Sequence, residues 1–323
     1  MSKLLNLKEV LIIIAYFVFM YLLYLKTGII EVNEAEKYIQ ASRAISDGEI
    51  VNTLKNQLFY SSYILFLTLI FQIGSIKTVV LVQLLLNILA SVCLKKSTNL
   101  LLGNKFFGQL AQLCFLLSIP IQTWALTLFS DNFFVCIICI TLYYTLKHKT
   151  KTDLFVWLML CLLLIFSRPP GIFFTYSFIF YQLYQLKRIP SYLFYSLALL
   201  SIIAIFMLLF TTKVETKGYI KPIAAASIIV DKPDYNIPEF TTREKETLLY
   251  AYTYLYSKHN FIYLMSLYTK KVKSFFTLTR PYYSAAHNYI LIVNYILYPL
   301  AIAGFIFFYT ENLKSQRPYF FLC

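Results

Sequence analysis

Of the 323 residues in this chain, 59% are hydrophobic and only 14% are charged, too little polar material to coat a soluble globule of this size. The composition therefore indicates a polytopic membrane protein. Its formal charge of +14 is spread over helix ends and one loop, which suits contact with anionic lipid or phosphate and does not suggest a nucleic-acid-binding domain.

The first apolar run, Val10 to Ile30, continues directly into Glu31 without a small-residue cleavage site, and reads as an uncleaved anchor. A charged stretch, EVNEAEKYIQASRAISDGE, follows it. On a helical wheel of Asn33 to Ile45, one arc holds Ala41, Glu34, Ile45, Tyr38, Ser42, Ala35 and Ile39, opposite Arg43, Glu36, Gln40 and Lys37. Glu34 is the only charge expected on the apolar face, where a carboxylate is costly unless it is paired, hydrogen-bonded or used. A helix-end role fits the same residues: Asn33 as N-cap, Glu36 completing an Asn-x-x-Glu capping box, and Glu34 complementing the positive helix end.

Further apolar stretches lie at 58–76, 79–94, 110–129, 133–146, 154–166, 171–186, 191–210 and 289–308, so the expected fold is all-α with about eight to nine transmembrane helices. Basic clusters at Lys3/Lys8, Lys95/Lys96/Lys105, Lys147/Lys149/Lys151, Lys187/Arg188 and Lys314/Arg317 should all be cytoplasmic. Three crossings before Lys95 would put it on the wrong side. The segment 58–76, which contains Gln72, Gly74 and Ser75, is therefore expected to be juxtamembrane or re-entrant, leaving eight spans with both termini inside.

This arrangement puts the acidic segment 31–57, the break Ser130-Asp131-Asn132, the break Ser167-Arg168-Pro169-Pro170-Gly171 and a large loop on the outer face. Asp131 is expected either to cap a helix starting near Phe133 or to carry chemistry. Arg168 either caps carbonyls and snorkels to headgroups, or grips a phosphate with its guanidinium. The loop 211–288 reads as extended chain around Lys221-Pro222, Asp231-Lys232-Pro233-Asp234 and Ile237-Pro238, then as a tyrosine-rich helical pattern from Thr242 to Thr279. Arg280, Tyr282, Tyr283 and His287 precede the last span, where they suit either a lipid-phosphate headgroup or an ordinary aromatic belt. Cys136 and Cys139 lie inside an apolar helix without nearby histidines and read as small packing residues. No internal repeat of the kind that marks many transporters is visible.

The order of these features, an acidic helix after the first span, Asp131 in the next outer loop, Arg168-Pro169 after the fifth span and a large outer loop after the seventh, resembles the GT-C glycosyltransferases. Aminoarabinose transferases and protein O-mannosyltransferases belong to that family. The resemblance covers about Val10 to Thr212, a transmembrane module 1–212 with its first outer loop at 31–57; the large outer loop 213–288 and the last span with its tail, 289–323, match in arrangement alone. It implies an inverting transfer of a sugar from a polyprenyl-phosphate carrier to a lipid, glycan or protein acceptor, at the outer face of a bacterial cytoplasmic membrane. The family's first-loop Asp-Glu pair reads Asn33-Glu34 here, so the base role falls to Glu34, its second acidic position matches Asp131, and its Arg/Lys-Pro element matches Arg168-Pro169.

On that reading Glu34 activates the acceptor hydroxyl, Asp131 orients acceptor or sugar, and Arg168, with Lys221 or Arg280, neutralises the departing phosphate. Asn33, Tyr38, Tyr282 and His287 are further candidates. A divalent metal shared by Glu34 and Asp131 is compatible with the residues, although nothing requires one. A flippase or other transporter of lipid-linked sugars, and a non-catalytic scaffold of the same fold, are the alternatives. A transporter should carry charges near the middle of several helices, and these spans carry almost none.

Overall fold

A computed structural model of the chain describes residues 7–31, 34–147, 150–185, 227–229, 232–233, 261–277, 279, 285–295, 298–299 and 302–303. The apolar run at 191–210, most of that at 289–308, and the candidates Asn33, Lys221, Arg280 and Tyr282 lie outside those residues. The chain divides into two compact units, Met1–Leu186 with Leu322, and Lys187–Phe321 with Cys323.

The described part of the first unit is almost entirely helical. α1 (Leu7–Thr27) ends where Gly28 takes a left-handed φ of 65° and its N–H closes on the Tyr24 carbonyl at 2.8 Å. α2 (Glu34–Ser46), α3 (Ile50–Asn56) and α4 (Ser61–Phe71) follow, the last preceded by a 3₁₀ turn at Leu58–Tyr60. α5 (Ile76–Leu102) starts at Ser75, whose N–H donates to the Thr78 hydroxyl. α6 (Lys105–Leu116) and the short α7 (Ile119–Gln122) bend by 52° across their break, so the run expected at 110–129 is not one straight helix. Pro120 explains the bend, because it cannot donate into a continuing helix and suits only a new first turn. α8 (Ser130–Lys147), α9 (Lys151–Ile165) and α10 (Gly171–Gln185) complete the unit.

α5 is the central helix, packed against both α6 and α8; α8 then packs on α9 and α9 on α10. Polar ties fix the direction of each helix. Lys95 near the end of α5 pairs with Glu9 at the start of α1, so these two helices run antiparallel. Lys96 lies 5.4 Å from the Tyr143 ring, and Lys147 lies 5.9 and 5.4 Å from the Tyr143 and Tyr144 rings, which brings the end of α8 to the same side. Lys147 also pairs with Asp153 at 2.8 Å, and the Trp157 indole donates to Thr145 Oγ1 at 2.9 Å, placing the start of α9 there. Gln182 of α10 donates to the Thr145 carbonyl. At the opposite end, Ile30 forms an isolated parallel bridge with Thr127. The basic residues in the last turns of α5 and α8, Lys95, Lys96 and Lys147, thus gather at one end, and the loops after α1, α7 and α9 gather at the other.

α4 resolves the parity of the early segments. α1 arrives at the Ile30 end and α5 departs from it, so the segment between them returns to its own side. The 11 residues of α4 rise only about 16 Å at helical pitch, roughly half of a hydrocarbon core. By length and composition, α1 from Glu9 and α5 can each cross a membrane, and the bent pair α6–α7 is a third candidate if it forms one broken span.

A polar seam runs through the apolar core. Gln83, Asn87 and Ser91, spaced four residues apart on α5, are fully buried. Gln83 donates from Nε2 to the Ala125 and Thr127 carbonyls at 3.1 Å each and accepts from the Tyr63 hydroxyl at 3.3 Å. Cys136 donates its thiol to Asn87 Oδ1 at 3.2 Å, and both Cys136 and Cys139 are buried packing residues. Tyr16 of α1 donates to Gln122 Oε1 at 2.9 Å. These bonds replace the water that amide groups lose inside a packed bundle.

In the second unit, β1 (Ser227–Ile229) pairs antiparallel with β2 (Lys232–Pro233). α11 (Phe261–Phe276) packs on β1, and α12 (Ala285–Asn294) follows. β2 includes Pro233 of the chain expected to be extended, and α11 covers 261–276 of the helical pattern expected from Thr242 to Thr279; Lys221-Pro222, Ile237-Pro238 and 242–260 lie outside the described residues. His287 sits on α12.

Candidate functional site

The site lies at the Ile30 end, where backbone hydrogen bonds join loops far apart in sequence. Ile30 donates to the Leu126 carbonyl at 3.0 Å and accepts from Leu128 at 3.4 Å, which pins the entry of α2 beside the start of α8. Ser62 at the start of α4 donates to the Phe166 carbonyl at 3.0 Å, which ties the same region to the end of α9. Pro169 and Pro170 stop α9, and α10 begins at once with Gly171. A Cβ at Gly171 would run into the Leu164 carbonyl, so the sharp turn after Arg168 depends on the missing side chain.

α2 lies on α4 and buries Ala35, Tyr38, Ile39, Ser42 and Ile45, with Thr68 donating to Ser42 Oγ at 3.1 Å. The wheel arc is therefore right at its centre and wrong at its edge. Glu34 is exposed, not buried on the apolar face, because it is the first residue of α2 and its side chain tilts toward the open N-terminal end. The Glu36 carboxylate accepts from Gln40 at 3.2 Å, one turn onward along the helix. The residue that the helix does bury is Tyr38, 1% exposed, whose hydroxyl is 3.4 Å from Ser130 Oγ. Its ring meets Tyr63 edge-on at 5.4 Å and Tyr60 at 5.5 Å, while Lys37 caps the Tyr60 ring at 5.0 Å.

Asp131 belongs to the first turn of α8, which starts at Ser130, three residues earlier than the sequence suggests, so Asp131 does not cap a helix beginning near Phe133. Its carboxylate pairs with the Arg168 guanidinium instead, with both side chains largely buried at 18% and 24% exposed. Arg168 is accordingly neither a simple carbonyl cap nor an unpaired cation. The pair engages one Nη1, and a guanidinium carries five N–H donors.

Tyr38 senses both charges. Burial pushes its phenol well above the ordinary tyrosine value, the hydrogen bond with Ser130 opposes that, the Glu34 carboxylate pushes it further up, and the Arg168 charge pulls it down. Tyr38 thus stays a neutral phenol. The Tyr38–Ser130 contact sets α2, on which Glu34 lies one turn before Tyr38, beside the start of α8 with its Asp131–Arg168 pair. Among the described residues no three His, Cys, Asp or Glu side chains converge as a metal-binding group.

Sequence reasoning passed over Ser130, Tyr63, Gln83 and Asn132. Asn132 is fully buried beside Asp131, and neither polar atom of its amide finds a partner among the described residues. A signal was present for Gln83, since polar residues repeated every four positions, Gln83, Asn87 and Ser91, in an otherwise apolar stretch mark a buried polar stripe. None existed for Tyr63, one of 28 tyrosines. No family model, no curated protein and no solved structure matches this chain.

Proposed function

We propose that this chain is a polytopic membrane glycosyltransferase that takes a sugar from a polyprenyl-phosphate carrier and passes it to a lipid, glycan or protein acceptor, with inversion. The observation that carries the reading is the Asp131–Arg168 pair beside the Tyr38–Ser130 contact, with Glu34 one turn before Tyr38 on α2. In this mechanism the acceptor oxygen attacks the anomeric carbon and loses its proton to Glu34, while the bond from that carbon to the phosphate oxygen breaks. Arg168 holds the charge that develops on the phosphate, either through its remaining N–H groups or by exchanging Asp131 for the phosphate. Asp131 then turns to the acceptor or the sugar. An exposed carboxylate suits the base role, because acceptor and water must both reach it.

Eight crossings with both termini in the cytoplasm accommodate this site at the outer face of a bacterial cytoplasmic membrane. The gathering of Lys95, Lys96 and Lys147 at the end opposite Asp131 supports that orientation. A second reading, a non-catalytic scaffold, draws on the Asp131–Arg168 pair itself, since an ion pair that locks the start of α8 to the turn after α9 needs no substrate.

Mass analysis of lipid-linked sugars in cells lacking the gene, then complemented with wild-type or Glu34→Gln protein, separates the two. Loss of the gene should leave a lipid-linked sugar unconsumed. Glu34→Gln should insert normally yet cut its consumption by roughly two to four orders of magnitude. An unchanged lipid-linked pool in the deletion would overturn the transferase reading, and full complementation by Glu34→Gln would put the scaffold ahead.

A further inference from the structure

α1 is held to its unit by polar ties at Glu9, Tyr16 and Ile30, but only 11% of its membrane-length window is buried, against 39% for α5. Between those ties the helix stands off from α5 and leaves an open groove of about 350 Å³. Its walls are almost wholly apolar, with Phe17, Tyr21 and Tyr24 from α1 facing Leu81 and Leu84 from α5. One charged residue joins the lining: Lys77, exposed in the first turn of α5, at the Ile30 end. Tyr21 and Tyr24 sit toward that same end, and tyrosine is the residue that tolerates the boundary between chain and headgroup.

A groove of this kind gains little by standing empty, since walls without partner atoms forfeit dispersion contacts. Water does not fill it well either, because the lining offers few polar groups to bind it. A single lipid chain satisfies the apolar walls, and an anionic phosphate satisfies the lysine at the mouth. We infer that the groove between α1 and α5 is a binding site for an anionic bilayer phospholipid, with one acyl chain along Tyr21, Leu81 and Leu84 and its phosphate on Lys77. The bound lipid acts as a wedge that completes the packing of α1. This inference needs α1 and α5 in a bilayer and is independent of the transfer reaction.

The test uses the full chain in nanodiscs containing a phosphatidylglycerol with a photoreactive diazirine in one acyl chain, compared with the matched phosphatidylcholine. Labelled positions are mapped by mass spectrometry. Labelling should concentrate on Phe17 to Tyr24 and on Leu81 to Leu84, several-fold above that on exposed Phe106 and Phe155, and should favour the anionic probe. Lys77→Gln should abolish the headgroup preference, and Lys77→Arg should keep it. Equal labelling by the two probes in the wild-type protein, which needs no variant, would overturn the proposal. So would uniform labelling over all exposed helix faces, or cross-linking evidence that another segment of the chain or a second copy fills the groove.

Discussion

Neutralising either partner of the Asp131–Arg168 pair separates a locking role from a chemical one. Both side chains are about four-fifths buried, so the pair lies between an exposed ion pair, about 0–1 kcal/mol, and a fully buried one, whose breakage costs roughly 3–5 kcal/mol. Asp131→Asn should therefore destabilise by about 1–3 kcal/mol, since it leaves the guanidinium partly desolvated without its counter-charge. Arg168→Gln should cost a similar amount, for the same reason applied to the carboxylate. The double variant removes both charges and should cost less than the two singles together, with a coupling of about 1–2 kcal/mol. Unfolding in nanodiscs, followed by Trp fluorescence against denaturant, measures the stability arm, and consumption of lipid-linked sugar measures the other. Recovery of stability without recovery of transfer is the expected pattern, because the double variant restores charge balance but holds no developing phosphate charge. Purely additive stability losses would refute the pairing, and transfer that returns with stability would reduce the pair to a clasp between two loops.

Cysteines placed singly at positions 96 and 131 should react oppositely with an impermeant thiol reagent added from outside, with labelling at 131 and none at 96; the reverse would invert the bundle and remove the site from the outer face. Gln83→Leu should destabilise by about 1–3 kcal/mol, because the Tyr63 hydroxyl and the Ala125 and Thr127 carbonyls lose their partner, and the unfolding midpoint reads that loss. Gly171→Ala should cost about 1–3 kcal/mol and lower transfer as well, since the methyl group pushes the Arg168 turn away from the Leu164 carbonyl; wild-type stability and rate would show that the turn has slack.

The sequence alone determined the properties that depend on composition and spacing. An apolar, basic chain with lysines repeated between apolar runs reads as membrane-crossing helices with those lysines expected on one side. Parity alone then demands that the segment 58–76 turn back, as the short α4 does between α1 and α5. The buried face of α2 was legible in its helical period, apart from Glu34, whose position at the first residue frees it from the packed turns. What the sequence could not reveal was which loops meet. No local signal says that Ile30 pairs with Thr127, that Ser62 bonds to Phe166, or that Asp131 takes Arg168 as its partner rather than capping a helix. Those contacts join positions dozens of residues apart, and their energies depend on distance and burial, which only the packed bundle sets. The same holds for Tyr38. One tyrosine among 28 becomes the buried hydroxyl that meets Ser130 because α2 is folded down on α4, and a residue's neighbours across a bundle are a property of the packing, not of its place in the chain.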